Sequence, residues 1–274
     1  MKRLRSFRPL DIALLLVAVL FVSPCLLAVL NAFKTLPEIT RAPLSLPQRL
    51  NWQNFADIFS SVGLARPMLN SFLMCVAVIG TLIVLGSMTA YSLTRRKMSG
   101  AAFWRTFFLL GLTIPFQIVM VPLLKEFRWL GIHTTYFALW LHYISWGLPL
   151  CIFIYSGFVT TIPRELEEAA ELDGCGPLTM FWRVVFPLLA PCTTTIIIFW
   201  GLWTWNDFMQ AFVVMGPNKG QLVFVQLWRY LSDNYVKNWN TIFAGAVVLS
   251  LPVTLLYLLM QRRFIKGITA GSYR

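Results

Sequence analysis

Two groups of side chains have the types and spacing to recognise another molecule. The first is acidic. Glu165, Glu167, Glu168, Glu171 and Asp173 fall in the stretch PRELEEAAELDGCGPLTMFWRVVFP, from Pro163 to Pro187, in a chain with only 11 acidic residues. Long neutral apolar runs lie on both sides. Carboxylates at that density are excluded from hydrocarbon, so the stretch is a surface that something else reads. The second group is aromatic and polar. FWGLWTWNDFMQAF sets Trp200, Trp203 and Trp205 directly before Asn206 and Asp207. Flat apolar faces beside amide and carboxylate groups suit a polyhydroxylated ligand, which needs apolar contact and directed hydrogen bonds together. An interfacial aromatic belt, or plain packing, explains the same tryptophans without a ligand. Both readings stay open at this level.

Signatures of covalent or hydrolytic chemistry are missing. There is no GxxxxGK[ST] phosphate loop; Gly216-Pro217-Asn218-Lys219-Gly220 lacks the spacing. There is no HExxH and no nucleophile beside a base. The five cysteines, Cys25, Cys75, Cys151, Cys175 and Cys192, are odd in number and contain no CxxC. Neither a disulfide framework nor a zinc site follows, and they read as small packing residues. The expectation is a chain that is not an enzyme and carries no metal, nucleotide or other cofactor of its own.

The elements that position the two groups are membrane spans. Of 274 residues, 58% are hydrophobic and 12% charged, about half the charged share of a soluble domain. Apolar runs match the ~20 residues a helix needs to cross hydrocarbon at about residues 10–30, 70–93, 103–124, 136–159, 188–208 and 242–260. Lipid offers backbone groups no partner, and no barrel-type alternation is present, so each span must be helical. The expected fold is all-α integral membrane, six transmembrane helices in a single domain over residues 1–274, with the acidic loop at 161–187. MKRLRSFRPL and the run after it read as an uncleaved first span, because the run is long for a signal peptide and Ala28–Ala32 is a poor cleavage site.

Six spans put both termini on one side. With the termini inside, most of the 23 Lys and Arg residues lie on that side, and Arg95-Arg96-Lys97 and Arg262-Arg263 flank span ends, where the positive-inside rule counts most. The acidic stretch is then cytoplasmic. The net charge of +12 reads as topology and attraction to anionic membrane lipids. No basic face with interleaved aromatics lies outside the membrane, so nucleic acid is not an expected partner.

Polar residues inside the spans are few. No Asp, Glu, Lys or Arg sits near the middle of one, whereas an ion-coupled carrier needs such a group. Gln117 and His142 are the better-buried polar candidates, with a packed, hydrogen-bonded histidine as the plainer reading of His142. Pro115, Pro122, Pro149 and Pro252 suggest kinks, and Gly80, Gly86 and Ala90 would let the second span approach its neighbours closely. In the loop after the first span, Trp52, Phe55, Ile58 and Phe59 have helical spacing.

Within the acidic stretch, Pro163 fits a first helical position and Glu165 the favourable first turn. Gly174 supplies a stop and Pro177 a second start. Leu178, Phe181, Trp182 and Val185 form an apolar face, and Pro187 ends the second helix. An Ala169-Ala170 patch and the glycine turn are left exposed, small enough for another protein to come close.

Glu168-Ala169-Ala170, three residues, Gly174, nine residues, then Val184 and Phe186-Pro187 resemble the EAA loop of bacterial ABC importer permeases. The family pattern has Ile and Leu where this chain has Val184 and Phe186, both apolar exchanges. Asn70-Ser71, Trp205-Asn206-Asp207-Phe208 and the tail Gly267-Ile268-Thr269-Ala270-Gly271 are similar to the carbohydrate-uptake, MalG-like branch. The resemblance implies a type I permease fold in the bacterial inner membrane, with both termini and an EAA coupling helix in the cytoplasm. It implies a second EAA-type permease, an ATPase subunit dimer holding ATP and Mg, and an extracytoplasmic solute-binding protein as partners. Glu168, Ala169, Ala170, Asp173 and Gly174 would dock the ATPase. Trp203, Asn206, Asp207 and Gln117 are pathway candidates, and Gly216, Pro217, Asn218 and Lys219 candidates for contact with the binding protein. The cargo implied is a sugar or oligosaccharide; glycerol phosphate or another polyol is the alternative. An ion-coupled carrier or a non-transport membrane scaffold is the alternative of a different class.

Overall fold

The computed structural model describes residues 9–95, 100–216, 222–233 and 238–270, and among these every regular element is a helix. Arg96, Lys97, Pro217, Asn218, Lys219, Gly220 and Gly271 lie outside the described residues, as do the side chains of Arg262 and Arg263. In chain order the helices are α1 (Pro9–Ala32), α2 (Leu36–Arg41), α3 (Gln53–Ser60), α4 (Ala65–Arg95), α5 (Ala101–Gly111), α6 (Phe116–Trp129), α7 (Tyr136–Val159), α8 (Glu165–Leu172) and α9 (Pro177–Met180). A π-helical turn (Phe181–Val185) follows, then α10 (Phe186–Leu188), α11 (Ala190–Asn206), α12 (Met209–Met215), α13 (Val223–Asp233) and α14 (Trp239–Ala270). Among the described residues four helices are long and apolar enough to cross a membrane, within α1, α4, α7 and α14. Two bent pairs, α5 with α6 and Pro177–Leu188 with α11, bring the number to six when each counts as one span.

One compact unit takes in the chain up to Ala65 together with Leu227–Leu251. In it α1 is apolar on every side, and Leu14, Leu16 and Phe21 are all exposed, which suits a lipid or protein surround. Past α1 the chain folds around two buried polar side chains. Lys34 is fully buried, and its Nζ donates to the carbonyls of Ala42 (3.1 Å) and Pro43 (2.9 Å). Asn54 donates from Nδ2 to the carbonyls of Ala32 and Lys34, both at 2.8 Å. Its Oδ1 accepts from Asn51 (3.2 Å) and Asn240 (2.8 Å). Buried polar groups are stable only when paired, and these bonds tie the end of α1, the segment before α3 and the start of α14 together. The buried positions of α3 are Asn54 and Ile58, while Trp52 and Phe59 stay exposed. Helical spacing of the aromatics therefore does not mark the buried face. Ahead of α2, Glu38 Oε2 accepts from the Thr35 amide (2.8 Å) and hydroxyl (2.9 Å), a capping box. These bonds, with one from the Gln48 amide, hold the Glu38 carboxyl below the ordinary carboxylate range.

The other unit runs from Arg66 to Gln226 and resumes at Pro252. Its core gathers Val78 and Leu82 of α4, Tyr143, Cys151 and Tyr155 of α7, and Cys192, Ile196 and Trp200 of α11. Gly86 allows α4 to meet α7: a Cβ there would lie 2.8 Å from the Cys151 Cβ. Gly147 answers from α7, with Leu82 side-chain atoms at 2.7 and 3.0 Å from its added Cβ. Gly80 does not share this role, since its added Cβ would meet nothing within 4 Å.

The expected third span, 103–124, is not one helix. α5 and α6 are bent by 101° at residues 112–115. Pro115 is extended (φ −69°, ψ 141°) and precedes α6. It has no N–H to continue α5, and it disfavours helical backbone at Ile114. The expected fifth span also starts differently. Pro187 does not end the preceding helix; the chain passes through it and bends by 75° at Leu189. Pro24, Pro122, Pro149 and Pro252, by contrast, lie inside unbroken helices.

Gly86→Ala is expected to destabilise the detergent-purified protein by about 1–3 kcal/mol, because the opposing Cβ is fixed to backbone. Gly80→Ala, on the same helix with open space around it, is expected to be neutral or slightly stabilising. Thermal unfolding of the two variants measures the difference.

Candidate functional site

The acidic segment folds as a short helix with a closed end. Glu165, Glu167 and Glu168 occupy the first turn of α8, where carboxylates oppose the positive end of the helix dipole. Pro163 lies just ahead of the helix, which starts at Glu165. Gly174 adopts φ +80°, the left-handed conformation that favours glycine. The Gly174 amide donates to the Glu171 carbonyl (3.0 Å) and the Cys175 amide to the Ala170 carbonyl (2.9 Å). That pair of bonds is a Schellman closure.

Glu168, Ala169, Asp173 and Gly174 are exposed, and Leu172 and Leu178 stand out at 90% and 64% exposure. Ala170 departs from the expected exposed patch: it turns inward and is buried. The apolar face expected of the second helix is also redrawn. Met180, Phe181 and Val185 are buried, whereas Leu178 and Trp182 are exposed. The π-helical turn shifts the register at Phe181–Val185, so a 3.6-residue period assigns the face wrongly.

Glu167 differs from the other acids. Its Oε1 pairs with Arg95 Nε at 2.9 Å, with the side chains 14% and 9% exposed. Its Oε2 accepts from the Tyr91 hydroxyl at 2.8 Å. Neither partner is close in sequence, and no local pattern signals the pairing.

At the far end of α11 the aromatic and polar group is brought together. Phe199, Leu202, Trp203, Asn206, Asp207, Phe208 and Met209 line a cleft of about 570 Å³. Trp203 packs edge-to-face on Tyr143 (5.5 Å) and Trp200 (5.0 Å). Trp200 and Trp205 are buried, so of the three tryptophans Trp203 lines this cleft. Asn206 is exposed, with Nδ2 on the Leu202 carbonyl (2.8 Å). Asp207 is heavily engaged: Oδ2 accepts from the Tyr143 hydroxyl (2.7 Å) and the Ala211 amide (2.9 Å), and Oδ1 from the Gln210 amide (3.3 Å). It thereby caps α12 and fastens that helix to α7. Beside it His142, buried, lies 2.6 Å by Nε2 from Gln210 Oε1, a packed and satisfied histidine. Gln117 does not join this group as a buried residue; it is exposed in the first turn of α6. Gly216 ends α12 with φ +76°. Tyr143 and Gln210 are the partners that sequence reasoning missed, since nothing in the spacing links them to Asp207.

Residues 82–270 match the model of a family described as binding-protein-dependent transport system inner membrane component. The chain is 32% identical over 260 residues to the probable starch degradation products transport system permease protein AmyC of Thermoanaerobacterium thermosulfurigenes, covering 95% of this chain and 94% of that one. It is 30% identical over 269 residues to the arabinooligosaccharides transport system permease protein AraQ of Halalkalibacterium halodurans, covering 97% and 95%. In three dimensions it resembles a chain of a bacterial ABC transporter involved in the import of the acidic polysaccharide alginate. The TM-score is 0.81 at 19% identity, over 94% of this chain and 99% of that one.

Asp207→Ala is expected to lower stability by about 1–2 kcal/mol, the usual loss when a helix cap is removed. Asp207→Asn keeps an acceptor for the α12 amides and should retain most of it. Melting temperatures of the purified variants test the ranking.

Proposed function

The chain belongs to the family of binding-protein-dependent transport system inner membrane components, and on that premise we propose that it is a permease subunit of an ATP-driven importer for a sugar or oligosaccharide. The family is a transport component and not an enzyme. The observation that carries the reading is α8: a rigid acidic helix with a left-handed glycine closure, presenting Glu168, Ala169, Asp173 and Gly174 outward. Such a surface serves an ATPase subunit that supplies the ATP and Mg chemistry, and Ala170 supports it from beneath. Relatives named for starch degradation products and arabinooligosaccharides support the cargo class.

Residues 1–274 act as one permease domain, with both termini and the loop at 161–187 in the cytoplasm of a bacterial cell. The basic residues at span ends support that orientation. A second permease completes the pathway, and the exposed apolar length of α1 gives it a surface to meet. Trp203 and Asn206 offer the pathway an aromatic face and an amide, Asp207 holds the wall of their cleft in place, and Gln117, exposed on α6 outside that cleft, is a separate pathway candidate. Gly216, with Pro217, Asn218 and Lys219 beyond it, is the proposed contact for the extracytoplasmic binding protein.

The test is co-purification with the ATPase subunits. Nothing lies within 4 Å of a Cβ at Gly174, so a side chain there meets no internal clash. Asn tolerates the left-handed backbone and adds little bulk. Gly174→Asn should keep the ATPase bound, whereas Gly174→Arg should lose it with unchanged membrane abundance. An Arg variant that retains its ATPase subunits rules out the docking role.

A further inference from the structure

We propose that Tyr91, Arg95 and Glu167 are positioning residues that pass the movement of α8 to α4, a role that rests on the reading of α8 as the ATPase-docking helix. α8 is eight residues long, and Ala170 is its only buried residue. Apolar packing of the helix itself therefore holds it weakly. Glu167 supplies the missing attachment. Both of its carboxylate oxygens are taken up by α4, one by Arg95 at 2.9 Å and the other by Tyr91 at 2.8 Å. Arg95 also donates to the carbonyl of Ile162, in the turn between α7 and α8. The single hydroxyl proton of Tyr91 goes to the carboxylate, and Met180 Sδ lies against the same oxygen at 3.4 Å. The Tyr91 ring meets Phe181 with centroids 5.3 Å apart. The node thus joins α4 to the turn before α8, to α8, to α9 and to the π-helical turn.

Each charge also suits its own helix. Arg95 is in the last turn of α4 and Glu167 in the first turn of α8, so both oppose the local dipole. The pair is largely withdrawn from water, which strengthens its attraction and makes loss of either partner expensive. α4 is 31 residues long, and from Arg95 back to Asn70 it spans roughly 38 Å at about 1.5 Å per residue. At its other end Asn70 donates to the Tyr136 hydroxyl (2.9 Å), where α7 begins, and Ser71 Oγ accepts from the Val223 amide (3.0 Å), where α13 begins. A displacement of α8 that pulls on Glu167 is carried along a stiff rod to those two contacts.

The experiment uses the assembled transporter, with hydrogen exchange followed before and after trapping with ATP, Mg and orthovanadate. In the wild type, trapping should change deuterium uptake both in α8 and in residues 222–226, which contain the Val223 amide. In Glu167→Gln the change in α8 should persist and the change at 222–226 should be lost. The exchanged pair Arg95→Glu with Glu167→Arg should restore part of the lost response, incompletely because each charge now faces the wrong dipole. A Glu167→Gln transporter that responds at both places overturns the node, as does an exchanged pair that restores nothing. A wild type with no response in α8 overturns the docking reading instead. Should Glu167→Gln fail to assemble, Tyr91→Phe decides: it removes one hydroxyl and keeps the ring, and a full response at 222–226 in that variant also overturns the node.

Discussion

A peptide group left unpaired in hydrocarbon costs several kcal/mol, and the arrangement of the helices follows from avoiding that cost. Several side-chain hydroxyls within the spans turn back on their own helices. Thr81 bonds the Ala77 carbonyl (2.8 Å), Ser145 that of Leu141 (2.8 Å) and Thr194 that of Ala190 (2.9 Å). Where α5 stops short, the Leu112 and Thr113 amides close the last turn, and the Thr113 hydroxyl bonds the Leu110 carbonyl at 2.8 Å. These hydroxyls are satisfied within their own helices, and several polar side chains that reach other helices have a partner at a helix end. Glu167 with Arg95 and Asn54 with Asn240 lie at the ends of both helices, and Asp207 at the end of α11 meets Tyr143 further along α7.

The consequence is mechanical. Elsewhere helices meet through side-chain shape, as where Gly86 admits Cys151 and Gly147 admits Leu82. Such contacts keep helices close but fix the sliding of one past another less firmly than a charged or hydrogen-bonded contact does. Polar ties therefore fix the placement of one helix on another more firmly than packing does. Asp207 ties α12 to α7, and Glu167 ties α8 to α4. Both tie a short helix to a long one.

The sequence shows the long helices well because α1, α4, α7 and α14 are uninterrupted apolar runs, and length alone distinguishes a span. α8 was legible for a different reason: a first turn of carboxylates and a glycine at the required left-handed position are local signals. The break at residues 112–115 was not. Pro115 looks no different in sequence from Pro122, Pro149 or Pro252, which sit inside intact helices. Whether a proline breaks a helix depends on what can satisfy the freed carbonyls, and that is a tertiary matter. The exposure of Leu178 and Trp182 was hidden by the π-helical turn, and the burial of Ala170 by the way α8 leans on its neighbours. Asp207 was legible as a polar residue among aromatics, but its partners lie on α7 and α12, beyond any local pattern.

The same distinction separates two kinds of acidic residue within α8. Glu165, Glu168 and Glu171 remain exposed, where a carboxylate is hydrated and its pairing with any partner is weak and screened by salt. Glu167 has exchanged water for Arg95 and Tyr91, and its geometry is fixed from two directions. This short helix therefore carries both exposed carboxylates and one that is paired with α4. An eight-residue helix has no room for a second shell of packing to do the anchoring. Because the anchor is charged, its strength comes from closeness and withdrawal from water rather than from buried apolar area, which suits a helix with one buried residue.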